Sequence, residues 1–205
     1  MSDVVGLLLA AGAGRRMGTP KGLLRDPDGT PWVERSARAL LDGGCDRVLV
    51  VTGAAAADVA ALAAAVPGVR TVEAPDWAEG MGASLRAGLA ALSVDEAPAD
   101  EAPAVAAVVG LVDTPGVTAA VVARLVAVAV GHGPATLARA AFGGVAGHPV
   151  VLGREHWDGV RATAAGDAGA RGYLRGRPDV LLVECADVGH GDDVDTPRDA
   201  AGTTA

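Results

Sequence analysis

"GLLLAAGAGRRMGTPKGLL", residues 6–24, begins as an apolar run, stops at a patch of Gly and Ala, and turns basic at Arg15 and Arg16. Lys21 closes the patch and is the only lysine in the chain; the other 16 of its 17 basic residues are arginine. "VVGLLLA" (4–10) predicts a buried strand. The small residues after it, Gly12, Ala13 and Gly14, let the backbone bend tightly and come close to a ligand. Unpaired N–H groups in such a loop can cradle phosphate oxygens. Arg15, Arg16 and Lys21 add three positive charges where a polyphosphate would need them. A purely structural turn would also explain the glycines taken alone. Two nucleotide-binding motifs fail on spacing. Gly12, Gly14 and Gly18 give G-x-G-x-x-x-G rather than G-x-G-x-x-G, and Thr52-Gly53 stand where the dinucleotide motif wants an acid. The P-loop needs Gly-Lys-Ser/Thr, and Lys21 follows a proline.

Working outward, short β-branched runs alternate with longer Ala- and Leu-rich amphipathic stretches. "DRVLVVTG" (46–53), "VRTVEA" (69–74), "VAAVVGLVDTP" (105–115), "ATLARAAF" and "DVLLVEC" (179–185) read as strands. "PWVERSARALLDGG" (31–44), with Pro31 in its first turn, "AAADVAALAAAV" and "VTAAVVARLVAVAV" read as helices, and "GMGASLRAGLAAL" (80–92) as a loop entering a helix. The alternation predicts an α/β fold of three layers, α/β/α and Rossmann-like, around a mostly parallel sheet. In such sheets ligands bind at the carboxyl ends of the strands. The acidic, Pro- and Ala-rich segment 93–104 reads as a solvated surface loop. The 205 residues suit one domain spanning 1–205, with a flexible tail at 200–205.

Composition narrows the function classes. The formal net charge is −8, which disfavours a nucleic-acid or anionic-membrane surface. The run 102–112 is too short to span a bilayer, and the opening residues, with no basic segment followed by a long apolar one, lead us to expect no signal peptide. Cys45 and Cys185 show neither metal-ligand spacing nor a disulfide pattern. A cytoplasmic protein is expected, with no nucleic-acid or membrane partner.

Three further stretches carry candidate chemistry. In "WAEGMGASLRAGL" (77–89), Gly80 and Ser84 stand at a helix start; Ser84 is an N-cap or part of a loop over a nucleotide base. In "GLVDTP" (110–115), Asp113 ends an otherwise apolar strand, and a carboxylate there needs a partner. Mg²⁺ is the natural one, because it takes oxygen ligands from one or two carboxylates plus substrate phosphates. An Asp capping the next helix is the alternative. In "GHGDDVDTPRD" (189–199), Asp195-Thr196-Pro197 repeats Asp113-Thr114-Pro115. Two such triplets after apolar strands point to two carboxylates on one cation, with Asp195 as second ligand and Asp193 in reserve; a solvated acidic turn would read the same way.

"LLLAAGAGRRMGTPKGLL" resembles the signature L-A-A-G-x-G-x-R-M-G-x-P-K of the MobA/MocA-like nucleotidyltransferases, most closely the molybdenum cofactor cytidylyltransferase branch. The guanylyltransferase branch resembles L-A-G-G and ends Asp-Lys, where this chain has Ala-Ala-Gly and Pro20-Lys21. The resemblance runs from residue 4 to about 199. It implies that Ala10, Ala11, Gly12, Ala13, Gly14, Arg15, Arg16 and Lys21 wrap a nucleoside triphosphate, CTP by preference, with Gly80 and Ser84 at its base. It implies Arg16, Lys21 and Asp113 as catalytic, and Asp113 and Asp195 as Mg²⁺ ligands. "GHPVVL" (147–152) and "GDAGAR" (166–171) resemble segments on the acceptor side, which implies His148, Asp167 and Arg171 as acceptor-binding, with Asp167 and Arg171 bracketing a short helix. The acceptor would be phosphorylated, molybdopterin cofactor first among candidates, and a transient contact with a molybdoenzyme or its chaperone would follow. One departure stands out: Val145 and Ala146 precede the Gly-His-Pro where relatives often carry basic residues, which argues against a strongly anionic acceptor. Another phosphorylated acceptor, a nicotinamide oxidoreductase and a non-catalytic nucleotide sensor are the rival readings.

Overall fold

Alternation within single strands builds both faces of the sheet. Along β1 (Val4–Leu9), Val4 and Leu8 point into one core, and Val5, Leu7 and Leu9 into the other. A strand buried on both sides is what a sheet covered by helices on both faces requires. The computed structural model describes residues 3–93 and 103–196. Most of the expected loop 93–104, the tail 200–205, and Pro197 and Asp199 lie outside the described residues.

The other strands are β2 (Arg47–Thr52), β3 (Val69–Glu73), β4 (Ala106–Leu111), β5 (Leu137–Phe142), β6 (Val145–Gly153) and β7 (Leu181–Glu184). The helices are α1 (Trp32–Asp42), α2 (Ala56–Ala63), α3 (Met81–Ala91), α4 (Ala119–His132), α5 (Trp157–Thr163) and α6 (Arg171–Leu174). The seven strands lie in the order β3-β2-β1-β4-β6-β5-β7. One core packs α1, α2 and α4 through Val33, Leu40, Val59 and Leu125; the other packs α3 and α5 through Leu85, Leu89, Trp157 and Val160. The three-layer α/β/α architecture is therefore as expected. Pro31 is the N-cap of α1 rather than part of its first turn, a shift of one residue at a helix boundary.

The strand that sequence alternation does not mark is β6. It runs antiparallel to both β4 and β5, against an otherwise parallel sheet. Gly143 and Gly144 turn β5 into β6 with φ of 62° and 80°, the left-handed pair that a two-residue hairpin turn demands. Glu184 accepts hydrogen bonds from both of their N–H groups, each 2.9 Å, and so fastens the hairpin tip to the end of β7.

Both cysteines are buried. Burial pushes the Cys45 thiol up to about 12, so it packs as a small apolar group rather than reacting. Among the described residues no helix is long and apolar enough to cross a membrane.

Candidate active site

The loop after β1 is held open by two glycines. Gly14 and Gly18 have φ of 58° and 76°. A Cβ on Gly14 would run into the Thr19 carbonyl, so any other residue there is both strained and obstructed. Among the described residues, the backbone N–H groups from Gly12 to Arg16 donate to no protein acceptor, while Met17 N–H closes the loop on the Gly14 carbonyl at 2.9 Å. Five successive open donors in a glycine-bent loop are suited to phosphate oxygens.

Pro20 then starts a single 3-10 turn, Lys21–Leu23, whose Gly22 packs against Val59 of α2. That contact aims Lys21 back across the sheet. Its Nζ donates to Asp113 Oδ2 at 2.7 Å and to Asp195 Oδ1 at 2.6 Å. Asp195 also accepts from Arg16 Nη1 at 2.9 Å. Burial alone would lower the Lys21 pKa, but the hydrogen bonds and charges of the two aspartates outweigh it and raise the pKa above the ordinary lysine value. Lys21 and Asp113 are nearly enclosed, with side chains 16% and 19% exposed.

Chain order does not bring Asp195 near Asp113; a crossing segment does. Val194 is buried and donates its N–H to the Asp113 carbonyl at 2.9 Å, and His190 N–H reaches the Gly116 carbonyl at 3.1 Å. These bonds lay residues 190–195 across the carboxyl end of β4. Asp195, not Asp193, therefore stands opposite Asp113. Thr114 Oγ1 donates to the Leu111 carbonyl at 2.9 Å, which tightens the turn that presents Asp113.

The ammonium of Lys21 marks a place where two carboxylates converge on one positive charge. The donor set there is all oxygen, and among the described residues no cluster reaches three His, Cys, Asp or Glu groups. Two carboxylates leaving room for phosphate oxygens and water suit a hard divalent cation such as Mg²⁺ and do not suit a closed structural zinc site.

A cavity of about 420 Å³ opens between the loop and α3. Ala11, Gly12, Ala13, Gly14, Arg15, Lys21 and Asp113 line one wall, and Trp77, Gly80, Met81 and Ser84 the other. Ala10 is buried behind this wall. Ser84 is not an N-cap: Gly80 takes that place, and Ser84 sits buried one turn inside α3. Gly80 has φ of 120°, and a Cβ there would meet the Gly166 backbone and Asp167 Oδ1. Its lack of a side chain admits the 164–167 segment against the start of α3. Gly53 plays the same part for Trp77, whose ring atoms a Cβ at 53 would strike. The missing acid at the end of β2 is thus a glycine that makes room for an aromatic wall.

A second cavity, of about 290 Å³, shares Leu9, Met81, Leu111 and Asp167 with the first. It exists because β4 and β6 part company. Their pairing ends at Val109–Val150, and β6 then bulges, with Gly147, His148 and Pro149 set against Ala140 alone on β5. Bulges re-aim side chains beside functional sites, and this one turns His148 into the gap. His148 Nδ1 stands 3.5 Å from the Val109 carbonyl. Burial, with Arg139 and Arg171 nearby, holds its pKa below the ordinary value, against the opposing pull of that carbonyl and Asp113.

Asp167 and Arg171 line this second cavity but do not bracket one helix. Asp167 lies in a 3-10 turn, Gly166–Ala168, and α6 starts at Arg171. Gly166 and Gly169 take φ of 49° and 51°, which breaks the expected helix into two turns.

Sequence reading missed three groups. Trp77 gave no signal beyond being one of three tryptophans. Arg139 looked like an ordinary strand residue, yet it lines the second cavity. Arg35 lies over the Trp32 ring at 5.1 Å, pairs with Asp26 at 2.6 Å and donates to the Val112 carbonyl at 3.2 Å, buttressing the peptide before Asp113.

A family model described as MobA-like NTP transferase domain matches residues 6–181. The chain is 40% identical to nicotine blue oxidoreductase of Paenarthrobacter nicotinovorans over 94% of its length and 92% of that protein's. A homologue of Mycobacterium tuberculosis Rv0371c from Mycobacterium sp. strain JC1 superposes with a TM-score of 0.76 at 28% identity, covering 98% of this chain and 95% of that one. Rv0371c of M. tuberculosis H37Rv, solved as a complex with manganese, gives a TM-score of 0.71 at 27% identity, covering 97% and 96%. The chain accordingly belongs to the MobA-like NTP transferase family and is a nucleotidyltransferase of that kind.

Proposed function

We propose that the protein transfers a nucleoside monophosphate, CMP from CTP by preference, to a phosphorylated small-molecule acceptor of the molybdopterin type, releasing pyrophosphate. The convergence of Lys21, Asp113 and Asp195 beside the open N–H groups of residues 12–16 carries this reading. The first cavity takes the nucleotide, with Trp77, Gly80 and Ser84 along the base; the second, joined to it at Asp167, takes the acceptor near His148 and Arg171.

In this mechanism the loop N–H groups bind and orient the triphosphate. Arg16 and Lys21 balance the α- and leaving phosphates. An oxygen of the acceptor phosphate forms a bond to the α-phosphorus, the bond to the β-phosphate oxygen breaks, and pyrophosphate leaves with that electron pair. The acceptor phosphate is already ionised at neutral pH, so no general base is needed. Asp113 and Asp195 would hold Mg²⁺ or Mn²⁺, which would supply charge neutralisation for the transfer. The manganese complex of Rv0371c is consistent with that pair. The reading places the protein in the cytoplasm, where its product would pass to a molybdoenzyme or its chaperone.

The test is pyrophosphate release from CTP and from GTP with molybdopterin, with and without EDTA. CTP turnover that EDTA abolishes and Mg²⁺ restores is expected. No pyrophosphate from either nucleotide would overturn the reading. The name of the 40% identical relative favours a second reading, hydride transfer from a nicotinamide dinucleotide whose pyrophosphate occupies the same loop. NADPH oxidation with a quinoid electron acceptor, in the absence of pyrophosphate release, would establish that one instead.

A further inference from the structure

Arg139 projects from β5 into the second cavity, where Ala146, Gly147 and His148 of the bulged β6 form the facing wall. Its guanidinium carries five donors and uses them thinly. Nε reaches the Gly147 carbonyl at 3.4 Å and Nη2 the Ala146 carbonyl at 3.3 Å, both long for charged donors. Among the described residues, neither Arg139 nor Arg171 makes an ion pair, although Asp167 and Asp193 line the same cavity. The two arginines instead act on each other: burial first, and then the charge of Arg171, lower the Arg139 pKa. A half-buried cation with no carboxylate in ion-pair contact, facing a second cation at the cavity rim, is unfavourable until an anion joins them.

The floor of the cavity is apolar, and Thr114, Asp167 and Asp193 stand on its polar side. Leu85, Val109, Leu111, Val150 and Leu152 make its floor, and its volume of about 290 Å³ has room for one ring system and its substituent. The partner at His148 is of a third kind. With Nδ1–H toward the Val109 carbonyl, a neutral ring presents Nε2 as an acceptor, which suits an N–H or O–H on the ligand and not a phosphate oxygen.

We propose that Arg139, together with Arg171, forms the anion clamp of the acceptor subsite, and that the subsite takes a compact aromatic or apolar molecule carrying one phosphate or similar anion. Arg139 is then a specificity-determining residue. It reaches from β5 to the place that the sequence leaves without charge at Val145 and Ala146, and there supplies the positive charge that a singly phosphorylated acceptor needs. The proposal rests on the reading that the second cavity is the acceptor side of the site.

Phenyl phosphate serves as probe, with inorganic phosphate and benzyl alcohol beside it, titrated calorimetrically into the full chain in phosphate-free buffer. Phenyl phosphate is expected to bind more tightly than either of the others. Arg139→Ala should weaken it by about 10-fold or more, the loss typical of a charge-assisted hydrogen bond, and Arg171→Ala in the same direction. Arg139→Gln keeps a donor for the Ala146 carbonyl while removing the charge, and it decides the matter if the alanine variant melts early. No binding to wild type, or a loss under threefold in Arg139→Gln, would overturn the proposal. So would binding that falls with Lys21→Ala and not with Arg139→Gln, which would put the probe in the nucleotide loop. Because binding is read without turnover, a chain that releases no pyrophosphate yet needs Arg139 for phenyl phosphate overturns the transferase reading and leaves the clamp standing. Turnover with Arg139-independent binding does the reverse.

Discussion

Lys21 Nζ lies 2.7 Å from Asp113 Oδ2, although 92 residues separate them in the chain. The only lysine of the protein fills the space between two carboxylates that are also the best cation ligands. A compact ammonium on a flexible stem can leave such a position for a phosphate; a planar, multiply bonded guanidinium does so less readily. If the carboxylate pair holds the metal as proposed, lysine and divalent metal compete for it in the nucleotide-free protein. Lys21→Met should tighten Mn²⁺ binding without nucleotide by about 10-fold, since a neighbouring like charge is removed from the site, while lowering turnover by about 100-fold. Electron paramagnetic titration of Mn²⁺ checks the first figure and pyrophosphate release the second. Weaker Mn²⁺ binding in the variant would contradict the competition.

Gly14→Ala tests the loop. A Cβ meets the Thr19 carbonyl at a φ of 58°, so the loop must rearrange at a cost of about 1–3 kcal/mol. The substitution should lower the Tm modestly and weaken CTP binding by about 10-fold or more, because the open N–H groups no longer converge. Gly12→Ala, where nothing obstructs a Cβ, should do far less. Equal effects from the two would place the cause elsewhere.

Protonation of His148 opposes folding. Its pKa is held below the ordinary 6.5, chiefly by burial, so below pH 6.5 the unfolded chain binds a proton that the folded chain does not. Stability contributed by the neutral ring is complete above that pH and is lost as pH falls towards the folded-state pKa. Between neutral pH and pH 5, His148→Gln should therefore lose less Tm than wild type does. Parallel Tm curves for the two would show that another group titrates.

Arg35 positions rather than touches. Its bonds to Asp26 and the Val112 carbonyl brace the peptide that carries Asp113. Arg35→Met keeps much of the packing over Trp32 and loses the brace. The expected result is a fall in kcat of about 10-fold with KM for CTP little changed, the pattern of a contact felt mainly in the transition state. Restoration by Arg35→Lys to more than half of wild-type kcat would show that charge alone suffices at this position.

The candidate nucleotide side was legible in the sequence because its elements are local. A strand, a glycine turn and three cations fall within residues 4–21, and each Asp-Thr-Pro triplet announces itself in three letters. Joining Asp195 to Asp113 took a likeness between triplets, which the Val194–Asp113 bond makes physical. The second cavity was less legible for a structural reason. Arg139 matters only because β6 runs antiparallel and bulges toward it, and strand direction leaves no trace in composition. Gly143-Gly144 was the available signal, a two-residue turn between apolar runs. The break at Gly166 and Gly169 is of the same kind: two positive-φ glycines defeat a helix that spacing alone permits.

The reversed strand β6 makes the molecule modular in a way that bears on its engineering. Every contact proposed for the triphosphate comes from the segments that follow β1 and β4 or from the crossing segment, whereas Arg139 and His148 sit on one hairpin closed by two glycines and tied down by Glu184. Grafting a hairpin of different sequence between residues 139 and 150 would exchange the acceptor wall as a cassette. The phosphate loop and its carboxylate pair would stay in place, ready for a new recipient.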